Sequence, residues 1–573
     1  MRQIVVTLVL TVCTLTTQLG RTADKLIIQG VEKDIEASVL AYLSLDDLPC
    51  TAPRWWVDRA YKQARVDVRS ALEAYGYYQP VISPGLEWRG DCWRATFSIE
   101  PGEPVQINEA HVSTTTPLAN EGDMQTFLAD SKLAGGRRFT HDRYESHKDQ
   151  MLNIAESLGY FDASFQEHHV SIAPAQNTAD ISIRLDGGER YRLGDVRVHQ
   201  DALHPQLFDR YLTLQPGNPY SSKAMNETYA RLLESGYYDR VNLSPDLDSR
   251  SGGVVDVDVH ATAGSKRTTV VGVGYATDTG PRVRGDLRYR RVNDRGHRAN
   301  LGLLASPVTS EVSIEYRLPY GDPTHQWLAF TASLKHEDTD TSRSTTRSVG
   351  ASRTQRRGAH WTETNYVDVR NEDFDVAEQE GQSNLVLLGS SWTRTTAIDA
   401  PRPMHGHTLS FDVRGASDAL LSDTSFIQVI TKAKQIVPLG SKIRLLGRVT
   451  AGWTLKEALS DLPPSIRFFA GGDNSVRGYG YEELGPEVDD EVIGGSKLLT
   501  GSLELDVPVR TNWSLAAFVD SGSAFDSSPS FSTGVGIGIR WFSPLGPLRL
   551  DIAHPLDDPD NNVRIHISLG TDL

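Results

Sequence analysis

The sequence predicts an α+β first half built from repeated modules and an all-β second half. In the first half, a helix-like segment followed by glycine and two aromatic residues recurs at a spacing of about eighty residues. From Arg267 onward, apolar and polar residues alternate with the period of two that β-strands require. The alternating segments are separated by turn-like stretches rich in glycine, proline and asparagine. The chain therefore changes fold class near residue 265.

The first 23 residues have the pattern of a secretory signal. Arg2 provides a positive start, and an apolar run follows over residues 4–15, which is shorter than the ~20 residues of a membrane-spanning helix. Residues 21–23 could precede a cleavage site, so that the mature chain would begin near Asp24. The alternative is a buried N-terminal helix. The signal predicts an exported protein.

Charge and cysteine content narrow the possible partners. The chain of 573 residues has a formal net charge of −16, whereas a nucleic-acid-binding protein needs a basic face, so we expect no nucleic-acid partner. Two cysteines, Cys50 and Cys92, remain after removal of the signal. An even number in an exported chain favours a disulfide between them, and the alternative is two free thiols. Two cysteines without a nearby histidine pair do not indicate a metal site.

Three segments of the first half share one pattern. Their helices are predicted to end at Gly76, Gly159 and Gly236, where glycine can take the left-handed conformation that closes a helix. The aromatic residues that follow would enter a strand. Thr140 and Ser221 stand where the second and third helices begin, and both are good N-cap residues. The repeats predict modules at 24–104, 105–190 and 191–264.

The alternation in the second half has a charged face. Within 562–569, apolar residues alternate with polar ones that include Arg564 and His566. A charged second face predicts a wet interior, as in a membrane barrel. A soluble sandwich also alternates, but with its apolar residues inward, so periodicity alone leaves both folds open. The signal, the length and two motifs described below favour the barrel.

The length of the second half predicts the number of strands. Residues 265–573, at roughly nineteen per strand with its connection, allow sixteen strands, an even number that leaves both ends on one side. Connections near 293–298, 319–323, 510–512 and 543–547 are predicted as short turns on that side, and 337–348 and 457–496 as long outer loops. Counting back from the C-terminus places Arg477 in the loop between strands 11 and 12. The same count places Asp520 at the end of strand 13.

A glycine-rich stretch, residues 468–486, holds one cation, Arg477, among small and aromatic residues. Downstream, Asp520 lies on the same strand face as Phe518 and Gly522, which are two positions away on either side. Because glycines permit close approach and a guanidinium can bind a carboxylate through two hydrogen bonds, we predict a latch. In it, Arg477 folds into the barrel lumen and pairs with Asp520. The alternative is a flexible outer loop whose arginine meets only water. The predicted latch comprises Arg477, Gly478, Tyr479, Phe518, Asp520 and Gly522.

Two motifs carry a resemblance to a known family. Val476-Arg477-Gly478-Tyr479 and Phe518-x-Asp520-x-Gly522, in this order near the C-terminus, resemble the motifs of the BamA/TamA superfamily of outer-membrane barrels. Residues 534–555 resemble its final motif. The resemblance covers essentially the whole mature chain. It implies three POTRA (β-α-α-β-β) modules followed by a 16-stranded antiparallel transmembrane β-barrel. Three repeats point to the TamA branch, whereas two would suggest a two-partner secretion transporter and five a BamA.

The resemblance also implies a function. It is that of an outer-membrane translocation and assembly factor that helps insert or secrete β-barrel clients, such as autotransporters, without ATP. The implied partners are outer-membrane lipid, unfolded clients, and an inner-membrane-anchored TamB-like protein bound through the periplasmic POTRA modules. The alternatives are a two-partner-type secretion pore and a structural tether between the two membranes. Since the sequence lacks the common nucleophile, nucleotide and zinc-protease motifs, we expect no enzyme, cofactor or metal.

Overall fold

The computed structural model describes residues 25–90, 92–358, 360–377, 379–396, 402–456, 458–543, 546–558 and 563–569. The predicted signal lies outside these residues. The described residues form two compact units: one comprises those up to 196 with 215–224 and 245–257, and the other the remaining described residues. Among the described residues, no helix combines the length and the apolar character needed to cross a membrane.

The first half consists of three modules with one order of elements: a strand, helices and two further strands. The first comprises β1 (Leu26–Gln29), α1 (Lys33–Tyr42), α2 (Arg54–Ala74), β2 (Val81–Arg89) and β3 (Cys92–Glu100). The second comprises β4 (Gln106–Thr114), α3 (Gly122–Ala129), α4 (His141–Ser157), β5 (Ser164–Ala173) and β6 (Thr178–Asp186). The third comprises β7 (Arg192–His199), α5 (Pro205–Phe208), α6 (Ser222–Glu234), β8 (Tyr238–Ser251) and β9 (Val254–Ala263). Their sheets have the orders β1-β3-β2, β4-β6-β5 and β7-β9-β8.

Local sequence explains where the module helices begin and end. Thr140 precedes α4, and its hydroxyl accepts a hydrogen bond from the backbone N–H of Arg143 at 3.3 Å. After α2 and α4, Gly76 and Gly159 have φ of +86° and +91°, which side chains disfavour. Each helix pair covers one face of its sheet, as the fully buried Phe97 of β3 illustrates in the first module.

The second half is a 16-stranded antiparallel sheet with its strands in chain order, as the sequence predicts. The strands before the long loop are β10 (Arg267–Ala276), β11 (Gly280–Tyr289), β12 (Arg298–Ala305), β13 (Thr309–Pro319), β14 (Trp327–Asp338), β15 (Ser342–Arg357), β16 (Trp361–Val376), β17 (Gln379–Thr395), β18 (Gly406–Ala416), β19 (Phe426–Leu439) and β20 (Ile443–Lys456). The loop contains a hairpin of β21 (Glu487–Val488) and β22 (Glu491–Val492). The strands after it are β23 (Lys497–Arg510), β24 (Trp513–Phe525), β25 (Ser532–Ser543), β26 (Gly546–Pro555) and β27 (Arg564–Leu569).

The two faces of this sheet identify it as a membrane-type barrel. Outward residues are apolar and exposed: Val349 is 63% exposed and Ile537 is 66% exposed. Inward residues are polar and buried, and Glu372, Gln428 and Asp520 are each 0% exposed. A soluble sandwich would have the opposite distribution. The apolar surface of the barrel therefore faces lipid.

Two details differ from the sequence-based expectation. The region 337–348 is not a long loop, because β14 ends at Asp338 and β15 begins at Ser342. Its polar residues form a regular ladder, which uses backbone groups and requires no apolar side chain. Asp520 lies within β24 rather than at its end. The loop that bears Arg477 does connect the eleventh and twelfth barrel strands, β20 and β23.

Candidate functional site

The described part of the long loop, residues 458–496, is termed the lumen loop. It contributes buried apolar residues, such as Leu462 and Val476, each 0% exposed. Arg467 donates to the carbonyl groups of Leu462 at 2.7 Å and Ile493 at 3.0 Å, and to the side chain of Gln379 at 2.9 Å. Burial lowers the pKa of Arg467 to about 10, so it stays charged at neutral pH. The loop is therefore held by internal bonds and by the barrel wall.

Arg477 and Asp520 form a two-pronged ion pair in the lumen. Nε and Nη2 of Arg477 donate to the two carboxylate oxygens of Asp520 at 2.6 and 3.0 Å. The backbone N–H of Arg477 donates to the same carboxylate at 3.2 Å. The arginine is 3% exposed and the aspartate 0%. Three bonds to one carboxylate fix the orientation of the loop as well as its distance from the wall.

Two further carboxylates and a second arginine extend the pair into a network. Nη1 of Arg477 donates to Glu504 at 2.9 Å and to Asp551 at 3.0 Å. Arg540 bridges the same two acids, with bonds of 3.0 and 2.8 Å to Glu504 and 2.5 Å to Asp551. The wall residues of this network come from four consecutive strands, β23 to β26. The loop arginine is thus bonded to three strands at once.

The local charges keep Arg477 ionised. Burial alone would lower the pKa of its guanidinium. The hydrogen bonds and charge of Asp520, together with the charges of Glu504 and Asp551, outweigh burial and raise this pKa above its ordinary value. The guanidinium carbon also lies 3.4 Å from the ring centroid of Phe518, which adds a cation–π contact.

Glycines of β25 make room for this arrangement. A Cβ atom at Gly534 would lie 1.8 Å from the carbonyl oxygen of Arg477. At Gly536 it would lie 2.4 Å from the ring of Phe518, and at Gly538 1.8 Å from the carboxylate of Asp551. Real Cβ atoms do not come this close to their neighbours. The inner face of β25 is therefore a groove that receives the loop.

A second set of contacts joins the lumen loop to both ends of the barrel sheet. The backbone N–H of Gly478 donates to Nε2 of His566, on the last strand, at 2.9 Å. Nδ1 of His566 lies 2.6 Å from the carboxylate of Asp473, and the N–H of Asp473 donates to Asp278 at 2.7 Å. Because Nε2 accepts a bond, Nδ1 carries the proton and donates it. This hydrogen-bond chain is termed the edge bridge.

The edge bridge also brings three potential metal ligands together. One ligand atom each from Asp278, Asp473 and His566 lie within 4.8 Å of one another. Both ring nitrogens of His566 are already engaged in hydrogen bonds, so a metal would have to displace one of them. Burial and the neighbouring charge of Asp473 raise the pKa of Asp278 to about 6. The three residues therefore fit a hydrogen-bond chain better than a metal centre.

The first and last barrel strands meet at a weak seam. Among the described residues, β10 and β27 share no regular ladder, whereas every other pair of neighbouring strands in the sheet does. Ile567 N–H donates to the hydroxyl of Thr277 at 2.8 Å, and Thr277 N–H donates to the Ile567 carbonyl at 3.2 Å. Arg282 donates to the Leu569 carbonyl at 3.3 Å. Few backbone bonds thus hold the barrel closed here.

The remaining residues singled out from the sequence are placed as follows. Gly478 has φ of +106°, a value that favours glycine, and Tyr479 is 4% exposed. Gly522 lies opposite Thr500 on the inner face. In the first module, the Sγ atoms of Cys50 and Cys92 are 1.98 Å apart, the distance of a disulfide bond.

Sequence reasoning missed Glu504, Arg540 and Asp551 as members of the network. Period-two alternation places all three on the inward face, which was the available signal. Their partnership depends on the registers of four strands, which alternation does not provide. The edge bridge was missed for the same reason, since Asp278 and His566 stand at opposite ends of the barrel sequence.

These features define the protein class as an outer-membrane β-barrel with POTRA modules. The Omp85 superfamily domain model matches residues 274–573. The model for POTRA domain 1 of TamA matches residues 25–101, and a POTRA model described as surface antigen variable number repeat matches 191–264. The chain belongs to the Omp85 superfamily. Members of this family are outer-membrane assembly or secretion proteins that handle client proteins, with POTRA domains in the periplasm.

Individual relatives are distant. The chain is 21% identical over 530 residues to outer membrane protein assembly factor BamA of Nitratidesulfovibrio vulgaris, covering 87% of this chain and 67% of the relative. It is 22% identical over 595 residues to BamA of Neisseria meningitidis, covering 90% of this chain and 73% of the relative. The crystal structure of BamA from Haemophilus ducreyi lacking POTRA domains 1–3 superposes with a TM-score of 0.70 at 18% identity, covering 81% of this chain and 99% of that one. That likeness supports the fold.

Proposed function

We propose that this protein is a TamA-type translocation and assembly factor that helps insert β-barrel clients, such as autotransporters, into the outer membrane without ATP. The observation that carries the proposal is the seam between β10 and β27. A strand edge with unpaired backbone groups can accept a strand from another chain with little demand on its sequence. Client folding in lipid supplies the free energy, because each backbone bond made there removes an unsatisfied polar group.

The lumen loop has a defined role in this proposal. Its ion pair with Asp520 would hold the loop in the lumen. The edge bridge, which joins this loop to β27 and to the turn after β10, would have to break when the seam opens. In this proposal, the latch keeps strands β23 to β26 rigid, whereas the edge strands β10 and β27 move to admit a client strand. A two-partner-type pore would require the loop to leave the lumen, and a tether would require no seam movement.

The first half completes the proposal. The modules, with boundaries at 24–104, 105–190 and 191–264, would receive clients in the periplasm along their sheet edges, and a TamB-like partner would bind there. A disulfide between Cys50 and Cys92 would stabilise the first module during exposure to the periplasm. Residues 1–23 would serve as the export signal and be removed.

A cysteine crosslink across the seam tests the proposal. Thr277→Cys with Ile567→Cys places two thiols on residues that already share hydrogen bonds. In a deletion strain, this variant should lose surface display of an autotransporter reporter under oxidising conditions and regain it after reduction. The matched control is Val349→Cys with Val369→Cys, an outward pair in the regular ladder of β15 and β16. Normal display with the seam crosslinked would refute the proposal, and large single-channel conductance of the wild type would favour the pore.

A further inference from the structure

A pocket of about 790 Å³ lies at one end of the barrel, and none of its lining residues belongs to the latch. Its lining comes from the connections between β17 and β18, β19 and β20, and β23 and β24, which strand order places at the same end, and from the ends of β23, β24 and β25 there. The turn between β11 and β12 lies at this end too, and there the carbonyl group of Asp294 accepts a bond from His204 of the third module at 2.8 Å. This end of the barrel therefore contacts the segment of the third module that contains His204. The residues that carry the argument are Arg402, Lys442, Arg510, Trp513, Ser514 and Phe542.

The pocket has an excess of positive charge. Arg402, Lys442 and Arg510 line it, and of these Lys442 and Arg510 are exposed. The nearby carboxylate, Asp506, accepts a bond from Arg402 at 2.8 Å. Asp506 is also bonded at 2.8 Å to Arg444, which is 1% exposed. Among the described residues of the site, Asp506 is bonded to two cations, and Lys442 and Arg510 add two more to the pocket, so the site favours an anion.

Two polar atoms in the lining lack hydrogen-bond partners. The hydroxyl of Ser514 is without a partner among the described residues, although this residue is only 1% exposed. Nε of Arg402 also lacks one there, while its Nη2 donates to the carbonyl group of Lys442 at 3.1 Å. A buried donor without a partner costs free energy that a ligand oxygen recovers. An oxyanion in the pocket offers several acceptor oxygens to such donors.

A tryptophan pair locates the pocket relative to the membrane. Trp513 and Trp541 lie on neighbouring strands with their ring centroids 5.7 Å apart and their planes 16° apart. Both are outward, 42% and 39% exposed, and share the outward faces of their strands with Leu515 and Ile539. Tryptophans at the ends of apolar strands mark the level of the lipid headgroups. Because Trp513 also lines the pocket, the cations stand at that level.

We propose that this pocket binds the phosphate of an anionic phospholipid from the leaflet at this end of the barrel. Lys442 and Arg510 attract the headgroup, while Arg402 and Ser514 donate hydrogen bonds to phosphate oxygens. Trp513 packs against the glycerol region at the rim. Such a lipid would brace the connections before β18, β20 and β24, and so the wall that carries Asp520. A free phosphate ion has the same oxygens but makes no use of the tryptophan rim.

Native mass spectrometry of the full chain in detergent tests the proposal, with phosphatidylglycerol, phosphatidylcholine and inorganic phosphate as probes. The wild type should retain phosphatidylglycerol in preference to phosphatidylcholine. Lys442→Gln with Arg510→Gln should bind phosphatidylglycerol roughly thirtyfold more weakly, at the contribution expected for two cations near a membrane surface. The matched control is Arg291→Gln with Arg295→Gln, which removes two cations from another connection at the same end. It should bind as the wild type does.

Three results would overturn the proposal. One is equal retention of phosphatidylglycerol by Lys442→Gln with Arg510→Gln and by the wild type. A second is equal retention of the two lipids by the wild type. Displacement of bound lipid by equimolar inorganic phosphate would overturn the lipid assignment in favour of a free anion. Ser514→Ala provides an independent variant, since it removes no charge, and it should weaken lipid binding several-fold while leaving the gel mobility of the unheated barrel unchanged.

Discussion

Replacement of Arg477 by alanine is the sharpest test of the latch. The substitution removes a cation that is 3% exposed and leaves Asp520, itself 0% exposed, without its guanidinium partner. Arg540 continues to neutralise Glu504 and Asp551, but among the described residues it makes no hydrogen bond to Asp520. Removal of one member of a buried ion pair costs about 3–5 kcal/mol. We expect Arg477→Ala to lose an amount in this range from the free energy of unfolding.

Tryptophan fluorescence during urea unfolding in lipid would measure this loss, and limited proteolysis would report release of the lumen loop. Arg347→Ala is the matched control, because Arg347 pairs with Asp373 at 2.7 Å while their side chains are 53% and 45% exposed. An exposed pair contributes about 0–1 kcal/mol. Arg477→Lys keeps the charge but cannot make the two-pronged bond, so it should recover only part of the loss. If Arg477→Ala and Arg347→Ala unfold at the same urea concentration, with the loop still protected, the latch reasoning is wrong.

Three further predictions concern other parts of the molecule. Gly534→Ala should release the loop, because the added Cβ collides with the Arg477 carbonyl, whereas Gly272→Ala, whose Cβ meets nothing within 4 Å, should not; proteolysis of the loop distinguishes them. Because the fold raises the pKa of Asp278 to about 6, this residue contributes most to the free energy of unfolding below about pH 4, and its contribution declines as the pH rises to about 6. The urea concentration at the midpoint of unfolding should fall over this pH range. Asp278→Asn should remove this pH dependence. Cys50→Ser with Cys92→Ser should cost about 4 kcal/mol in the first module, measured as faster proteolysis there, and two reactive thiols in the denatured, unreduced wild type would contradict the disulfide.

The sequence predicts the architecture well because the signals involved are local. Alternation defines strands, and the even strand number fixes the end at which the Arg477 loop lies. The failure at 337–348 has a physical cause: the ends of β14 and β15 are held by a backbone ladder, so their side chains need no apolar pattern. The sequence does not predict that Glu504 and Asp551 bind Arg477, because contacts among residues of several strands depend on the register between those strands. Such a register results from all the turns between the strands together.

The edge bridge imposes an order on the biogenesis of the barrel itself. The carboxylates bound by Arg477 lie at most 74 residues from it in the sequence, on strands that follow the loop directly. This part of the docking therefore needs only the C-terminal third of the chain. Asp473 and Asp278 are 195 residues apart in the sequence, and their hydrogen bond can form only when the first hairpin, β10 and β11, is in place. Since distant contacts form later than local ones, we expect loop docking to proceed in two stages. Completion of the second stage would show that the first and last strands of the sheet have come together. Pulse-labelled chains should therefore show protease protection at Arg477 before protection at Asp473, and simultaneous protection would contradict this order.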